Sequence, residues 1–291
     1  GSVLDMGKLI KAFYPQPDQA KDIVEKGLKI IDSRIPIISV PTTAGSGSES
    51  THFAVVYVKD QKYSLSARSL IANDIILDGS LVLSASKYQK ACSALDALSQ
   101  SIESAWAIGS SSQSRKVSFR ALEICLKNIQ SFVQSDSLDI AQAMIEAANL
   151  SGQAINISKT TSAHAWSYGI TKNYNVPHGH AVWFTLPRVF NIYASSKDDE
   201  IVDPRGVIFF QDIMDTLKGI LCIQSNHEIL DFFNKLLESI GISNNFKDDL
   251  ALNNDQRQSL SSQINQERMK NSPVKLGKKH INYIFQLKLN E

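Results

Sequence analysis

Residues 162–180 read Ser162-Ala-His-Ala-Trp-Ser-Tyr-Gly-Ile-Thr-Lys-Asn-Tyr-Asn-Val-Pro-His-Gly-His180. His164 lies in a run with helical character, whereas His178 follows Pro177 and precedes Gly179, which predicts a sharp bend in the chain. Neutral imidazole is the commonest metal ligand that proteins offer near neutral pH. A helix and a bend that each carry a histidine can converge on one ion if a carboxylate comes from elsewhere. The stretch therefore predicts two ligands of a divalent metal site.

The candidate carboxylate is Asp96, on a predicted helix where it shares one face with Gln100 and Glu103 through i, i+4, i+7 spacing. A solvated polar face is the simplest interpretation of such residues. Against it, the other sides of this helix are mostly apolar, at Ala94, Leu95, Ala97, Leu98, Ile102 and Ala105. A helix that is apolar nearly all round is buried, and a buried aspartate needs a partner or a metal. Aspartate with two histidines suits Zn²⁺ or Fe²⁺ and leaves a position open for substrate.

Two more side chains near the histidine pair are candidates for proton transfer. Tyr168 lies one helical turn beyond His164, so it is expected to face the same site, where it could donate a hydrogen bond or relay a proton. A packed tyrosine is the simpler interpretation. His180 follows His178 in Pro-His-Gly-His, where a chance pair of histidines in a loop is the alternative.

A loop of small residues, Thr42-Thr43-Ala-Gly-Ser-Gly-Ser48, follows a predicted strand at 35–40. Its glycines would let the backbone approach an anion closely, and its hydroxyls and N–H groups could donate to it. The loop matches neither the P-loop pattern nor GxGxxG. It is therefore a candidate phosphate cradle, with an ordinary turn as the alternative.

The pattern of the chain changes near residue 84. Before that point helices alternate with short β-branched runs at 35–40, 54–58 and 75–78, and after it long stretches show 3.6-residue periodicity. The 291 residues carry a net charge of +1, which gives no reason to expect nucleic acid or an anionic membrane as a partner. No apolar run approaches the ~20 residues that span a bilayer. Cys92 and Cys125 lie in apolar helical patterns, which favours buried reduced thiols and a cytoplasmic protein.

Taken in order, these segments resemble the iron-containing (group III) alcohol dehydrogenase family, which shares its fold with dehydroquinate synthase. The matching pieces are Gly1-Ser-Val-Leu-Asp5, Pro41 to Glu49, Asp96-Ala-Leu-Ser-Gln100 with Glu103, and His164 to His178. The resemblance implies an incomplete α/β dinucleotide-binding portion over residues 1–84, followed by an all-α metal and substrate domain over residues 85–291. In the family, the segment that matches Gly1-Ser2 follows several strands and helices. The resemblance thus implies that these elements are missing here, and an N-terminally truncated chain is expected.

The resemblance implies a role for each matching residue. Asp96, His164 and His178 become metal ligands, with Fe²⁺ expected first and Zn²⁺ as the alternative. Gln100 stands where the family usually has histidine, and its amide oxygen would be a weaker fourth ligand. Tyr168 or His180 would pass a proton to the alkoxide. The remaining roles concern NAD or NADP, which would contact Gly1, Ser2, Asp5, Thr42, Thr43, Ser46 and Lys62.

Further stretches, such as Glu-Arg-Met-Lys-Asn-Ser-Pro273, resemble the phosphonoacetaldehyde-reductase-like branch of the family. The expected reaction is reduction of a small aldehyde, with phosphonoacetaldehyde giving 2-hydroxyethylphosphonate as the specific candidate. A phosphonate needs cationic partners, for which Lys172, Arg188, Arg205 and Arg268 are candidates. A homodimer is also expected. The alternatives are a lyase or cyclase of the dehydroquinate-synthase type and an inactive fragment of a dehydrogenase.

Overall fold

Two small sheets and two helices make up the N-terminal part of the protein. The structure, a computed structural model, describes residues 1–59, 61–243 and 252–286. Strand β1 pairs in parallel with β4, and β2 pairs antiparallel with β3 from Phe53 opposite Ser66 to Val58 opposite Gln61. The elements in chain order are α1 (Ser2–Phe13), α2 (Ala20–Lys26), β1 (Ile38–Ser39), β2 (Phe53–Val58), β3 (Gln61–Ser66) and β4 (Asp74–Ile75).

Helices dominate the chain that follows. They are α3 (Ser80–Leu83), α4 (Lys87–Trp106), α5 (Ser112–Gln134), α6 (Leu138–Ser158), α7 (Ser162–Tyr174), α8 (His178–Trp183), α9 (Leu186–Ala194), α10 (Val207–Ile220), α11 (Ile229–Ser239), α12 (Asn254–Ser262), α13 (Gln266–Lys270) and α14 (Lys278–Ile284). The long ones begin at serines whose hydroxyls accept a backbone N–H of the first turn: Ser86, Ser111 and Ser137.

Helix α4 is the centre of the core. Every residue from Lys90 to Trp106 is buried, because α5, α6 and α8 pack around it. Alanines at three successive turns, Ala91, Ala94 and Ala97, let the neighbouring helices approach closely. The polar residues from Lys90 to Trp106 are therefore enclosed in protein, and each needs a partner there.

The loop after β1 is attached directly to α6. A Cβ on Gly152 would lie 2.3 Å from the carbonyl oxygen of Gly47, so no side chain fits between loop and helix. Gly47 also has φ +58°, a left-handed conformation that favours glycine. Asn149 donates to Ser50 Oγ at 2.7 Å, which adds a polar attachment next to this contact. The small-residue loop is consequently fixed against the helical part.

The α/β start followed by helices agrees with the sequence prediction, but two local expectations need correction. The strands expected at 35–40 and 75–78 pair over only two residues each. His178 is not in a bend: it is the first residue of α8, after Pro177. Cys92 and Cys125 are free and buried, as predicted, and burial raises their pKa to about 11 and about 12.

Candidate functional site

Asp96, His164 and His178 converge to form a cluster of three potential metal ligands. One ligand atom from each lies within 4.8 Å of the other two. His164 Nε2 is 3.6 Å from Asp96 Oδ1, and His178 Nε2 is 4.0 Å from the same oxygen. Ligand atoms around one tetrahedral Zn²⁺ lie about 3.3–3.6 Å apart, given bonds of about 2.0–2.2 Å. The three donors are thus close to the spacing that one ion requires.

Three helices bring these donors together. Asp96 lies on α4, His164 on the first turn of α7, and His178 at the start of α8. Gly179 lets α8 begin directly against α4, because a Cβ there would lie 2.0 Å from the carbonyl oxygen of Cys92. At the other end of α8, Trp183 Nε1 donates to the carbonyl of Leu95 at 2.8 Å. His178 is held beside Asp96 by this helix-to-helix contact.

Glu103 orients His164. Its Oε2 accepts a hydrogen bond from His164 Nδ1, and its Oε1 accepts from Thr161 Oγ1 at 2.6 Å and from the backbone N–H of Ala163 at 2.8 Å. In the neutral imidazole, the form that binds a metal, the proton therefore lies on Nδ1 and the lone pair on Nε2. The sequence predicts Glu103 on the same helix face as Asp96 but does not indicate this role. The i+7 spacing was the signal for it.

Charge and burial shift the pKa of Asp96 and that of His164 in opposite directions. Burial acts to raise the pKa of Asp96, but His164, His178 and the amide of Gln100 together hold that pKa below its ordinary value. Burial acts to lower the pKa of His164, but Glu103 and Asp96 raise it above its ordinary value. The carboxylate of Asp96 is consequently ionised near neutral pH, as metal binding requires.

Gln100 is placed differently from a metal ligand. Its Nε2 donates to Asp96 Oδ1 at 3.1 Å and to the carbonyl of Ser46 at 3.3 Å, while its Oε1 accepts from Ser151 Oγ at 2.9 Å. The reverse amide orientation would set its oxygen against two other oxygens. The atom that faces Asp96 is thus a donor, and Gln100 links the ligand cluster to the small-residue loop.

The two candidates for proton transfer have different surroundings. Tyr168 stacks on His178 with ring centroids 5.6 Å apart and lines the same cavity as the ligand cluster. Burial raises its pKa, against the effect of Arg268, so its hydroxyl is protonated near neutral pH. His180 lies elsewhere: its Nδ1 contacts Tyr88 Oη at 3.0 Å and its Nε2 contacts the carbonyl of Ser243 at 2.8 Å. The structure does not bring His180 to the cavity.

A cavity of about 610 Å³ joins the ligand cluster to part of the expected cofactor site. Its wall includes residues at the N-terminus of α1 and in the small-residue loop, namely Gly1, Ser2, Asp5, Thr43 and Ser46. Asp5 is engaged within the protein, because it accepts from Ser48 Oγ at 2.6 Å and from the N–H of Val55 at 3.0 Å. Thr42 is exposed to solvent. The backbone of Lys62 pairs with Tyr57, but its side chain lies outside the described residues.

Of the four cations predicted to meet a phosphonate, one lines this cavity. Arg268 does so, together with Tyr168. Arg205 is committed to both carboxylate oxygens of Asp203, at 2.8 and 2.7 Å, and Arg188 donates to the carbonyl of Phe184 at 3.2 Å. Lys172 is exposed on α7.

The residues present fit a divalent metal ion. Among the described residues, His164 Nε2 is a buried nitrogen without a hydrogen-bond partner, and it faces the carboxylate of Asp96. A buried polar atom without a partner is rare in a native protein. An ion between His164, His178 and Asp96 accounts for it.

Two family models match the chain. Residues 90–289 match the C-terminal region of the Fe-containing alcohol dehydrogenase family, and residues 1–79 match the iron-containing alcohol dehydrogenase model. Among the helices that the structure describes, none is both long and apolar enough to cross a membrane.

Similar proteins include phosphonoacetaldehyde reductase from Streptomyces viridochromogenes, 30% identical over 231 residues, and 4-hydroxybutyrate dehydrogenase from Clostridium kluyveri, 27% identical over 246 residues. The first alignment covers 76% of this chain and 58% of the relative, and the second covers 82% and 63%. The chain thus spans about three-fifths of these relatives' length.

Solved structures share the fold. Sulfoacetaldehyde reductase from Bifidobacterium kashiwanohense, in complex with NAD+, matches with a TM-score of 0.86 and 25% identity, over 98% of this chain and 73% of that one. An iron-containing alcohol dehydrogenase from Thermotoga maritima matches with a TM-score of 0.81 and 21% identity, over 98% and 72%.

Proposed function

This chain belongs to the iron-containing alcohol dehydrogenase family, and on that premise we propose that the full-length protein is a metal-dependent, NAD(P)-linked aldehyde reductase. The reaction is reversible hydride transfer between a nicotinamide and the carbonyl carbon of a small aldehyde. The observation that carries the proposal is the cavity whose wall contains both the Asp96–His164–His178 cluster and Ser46 of the small-residue loop. A single space that reaches both groups suits a reaction between a bound cofactor and a metal-associated substrate.

Asp96, His164 and His178 would hold the ion, with Fe²⁺ proposed first and Zn²⁺ as the alternative. When bound there, the ion would polarise the carbonyl oxygen as a Lewis acid. Glu103 keeps the His164 lone pair on Nε2, and Gln100 holds the Asp96 carboxylate by a hydrogen bond at 3.1 Å. The protein thereby orients its ligands through buried neighbours.

Tyr168 is the proposed proton donor to the oxygen of the substrate. Its ring lies against His178, and its raised pKa keeps the hydroxyl protonated at neutral pH. Phe53, Val55 and Ile155 contribute apolar surface to the same cavity. Apolar walls exclude water and strengthen the interactions of a developing negative charge with nearby donors.

Phosphonoacetaldehyde is the proposed substrate. Support comes from the similarity to a phosphonoacetaldehyde reductase and from the structural likeness to a sulfoacetaldehyde reductase. By their names, both of those proteins act on a short aldehyde that carries a tetrahedral acid group.

The test is consumption of NADH or NADPH by the full-length protein, stripped of metal and reloaded anaerobically with Fe²⁺ or Zn²⁺. Phosphonoacetaldehyde and propanal serve as substrates. His178→Ala should abolish metal-dependent turnover, whereas His227→Ala, which removes an exposed histidine, should not. Wild-type turnover in metal-free buffer would contradict the metal mechanism. Aldehyde conversion without net consumption of reduced cofactor would favour the lyase or cyclase alternative.

A further inference from the structure

Buried polar atoms without partners are concentrated around the cavity. In the described part of the chain, four such atoms belong to residues of its wall: Thr160 Oγ1, His164 Nε2, Thr171 Oγ1 and Arg268 Nη1. The metal site accounts for His164. The other three groups include two hydroxyls and one guanidinium nitrogen, all of which can donate hydrogen bonds. Several unused donors around one cavity indicate a ligand that is rich in acceptors.

Arg268 is held in place by its own segment. The carboxamide of Asn265 caps its backbone N–H at 3.0 Å, and Asn271 Nδ2 donates to the carbonyls of Ser158 and Thr160 at 2.8 and 3.0 Å. Asn265 also donates its N–H to the carbonyl of Ala165 on α7 at 3.1 Å. These bonds fasten helix α13 across the end of α6 and the start of α7, so the guanidinium is carried by a fixed backbone.

Nη1 of the guanidinium is buried without a hydrogen-bond partner and so can donate to an anion. The guanidinium lies 5.9 Å from the centre of the Phe53 ring, and its charge and its hydrogen bond to Tyr168 lower the pKa of that phenol. Within the described chain it forms no salt bridge, unlike Arg205, which is neutralised by Asp203. A positive charge in a partly apolar wall attracts an anion more strongly than an exposed one does, because water screens it less.

The distance between these donors and the metal-binding side chains limits the size of a molecule that can contact both. His164, Tyr168 and Thr171 share one face of α7 through i, i+4, i+7 spacing. Tyr168, beside Arg268, is one turn and about 6 Å along the helix axis from His164. An acid group that contacts Arg268 is therefore near a carbonyl at the ligand cluster, which suits an aldehyde with the acid on the adjacent carbon.

We propose that Arg268, with the hydroxyls of Thr160 and Thr171, binds the tetrahedral oxyanion of the substrate, a phosphonate or a sulfonate. This subsite rests on the proposed aldehyde reductase function and makes Arg268 the residue that selects anionic over neutral aldehydes. The planar guanidinium can donate two parallel hydrogen bonds to such a group, and the hydroxyls can donate to its remaining oxygens.

Binding of the alcohol products tests the subsite without turnover. The full-length, Zn²⁺-loaded protein is titrated by calorimetry with 2-hydroxyethylphosphonate, 2-hydroxyethanesulfonate and neutral 1-propanol. Arg268→Met should weaken binding of the favoured anion by roughly 10- to 100-fold, as expected for losing a charged hydrogen-bond donor. Arg268→Lys should restore part of it, and Thr171→Val should weaken it less. Lys172→Met, which removes an exposed cation from the same helix, is the matched control and should bind like wild type.

Comparing the two anionic products shows whether the subsite prefers a phosphonate or a sulfonate. Tighter binding of 2-hydroxyethylphosphonate supports a phosphonate substrate, and tighter binding of 2-hydroxyethanesulfonate supports a sulfonate substrate. Equal binding of the anions and 1-propanol by wild type would overturn the proposal. So would unchanged anion affinity in both Arg268 variants, with thermal unfolding and bound zinc confirming that they are folded and loaded.

Kinetics give a second readout. Arg268→Met should lower the ratio of kcat/KM for phosphonoacetaldehyde to kcat/KM for propanal by at least about 10-fold. An unchanged ratio would contradict the selecting role of Arg268. If wild type reduces no aldehyde, the proposed function fails, and the binding titration still decides whether Arg268 receives an oxyanion.

Discussion

Replacing Glu103 with glutamine removes a negative charge from a side chain with no exposure to solvent. The carboxylate accepts from three donors: His164 Nδ1, Thr161 Oγ1 and the N–H of Ala163. An amide has one acceptor oxygen, so it cannot accept hydrogen bonds both from His164 Nδ1 and from the N–H of Ala163. If the oxygen faces Ala163, the new NH₂ group faces His164 and favours a proton on Nε2, the atom proposed to bind the metal. If the oxygen faces His164, the Ala163 N–H meets another donor.

Both orientations weaken the site, by amounts that can be estimated. Loss of a carboxylate that orients a metal-binding histidine lowers metal affinity by about 10- to 100-fold, or about 1.4–2.7 kcal/mol. An unpaired buried N–H at Ala163 lowers the free energy of unfolding by about 1–3 kcal/mol. We therefore expect Glu103→Gln to fold, to bind Zn²⁺ more weakly and to be less stable in denaturant.

The assay is competition for Zn²⁺ between the protein and a chelator of known affinity, combined with urea unfolding of the metal-free protein. Glu49→Gln is the matched control, because Glu49 is also buried and accepts from Asn149 but does not line the cavity. The control should bind Zn²⁺ like wild type. Wild-type zinc affinity in Glu103→Gln, with nitrogen-15 shifts showing Nδ1–H on His164, would refute the orienting role.

Three further changes have defined outcomes. Gln100→His replaces a donor that faces Asp96 with an imidazole, which is a stronger metal ligand than an amide. The affinity for zinc should rise by at least about 10-fold in the same competition assay. Unchanged affinity would mean that residue 100 lies too far from the ion. Gly179→Ala puts a Cβ 2.0 Å from the carbonyl oxygen of Cys92 and should displace α8. The free energy of unfolding should fall by about 1–3 kcal/mol, and zinc should bind more weakly. A wild-type midpoint in urea unfolding would contradict this close contact. Burial lowers the pKa of Lys8 to about 8, so the unfolded chain binds more protons than the folded one between pH 8 and 10.5. The free energy of unfolding of wild type, relative to that of Lys8→Met, should therefore rise over this pH range by up to roughly 3 kcal/mol. Parallel pH profiles of the two proteins would show that Lys8 has an ordinary pKa.

Local sequence signals located much of the ligand cluster. Asp96 stood out because a polar residue on a helix that is apolar nearly all round must be buried, and it is 6% exposed. His164 was placed on a helix by its neighbours, and α7 spans it. His178 was expected in a bend, because proline and glycine flank it. Proline is also suited to helix starts, and the packing of Gly179 on α4 decided in favour of a helix.

Other roles depended on contacts between segments that are distant in the chain. The pattern Pro-His-Gly-His does not distinguish His178 from His180, yet only the first faces Asp96, because the second is turned toward Tyr88 and Ser243. The family resemblance implied a ligand position for Gln100, but Ser46 and Ser151 fix its amide with the nitrogen toward Asp96. No sequence spacing records that orientation.

The sequence by itself determined the succession of elements and the residues able to bind a metal, because helical periodicity and side-chain chemistry are local properties. It could not rank Lys172, Arg188, Arg205 and Arg268, since all four are equally charged. The tertiary structure decided among them, because Arg205 forms a salt bridge with Asp203, whereas Arg268 lines the cavity. The physical reason is that the availability of a charge depends on which distant groups share its surroundings, and folding alone sets those surroundings.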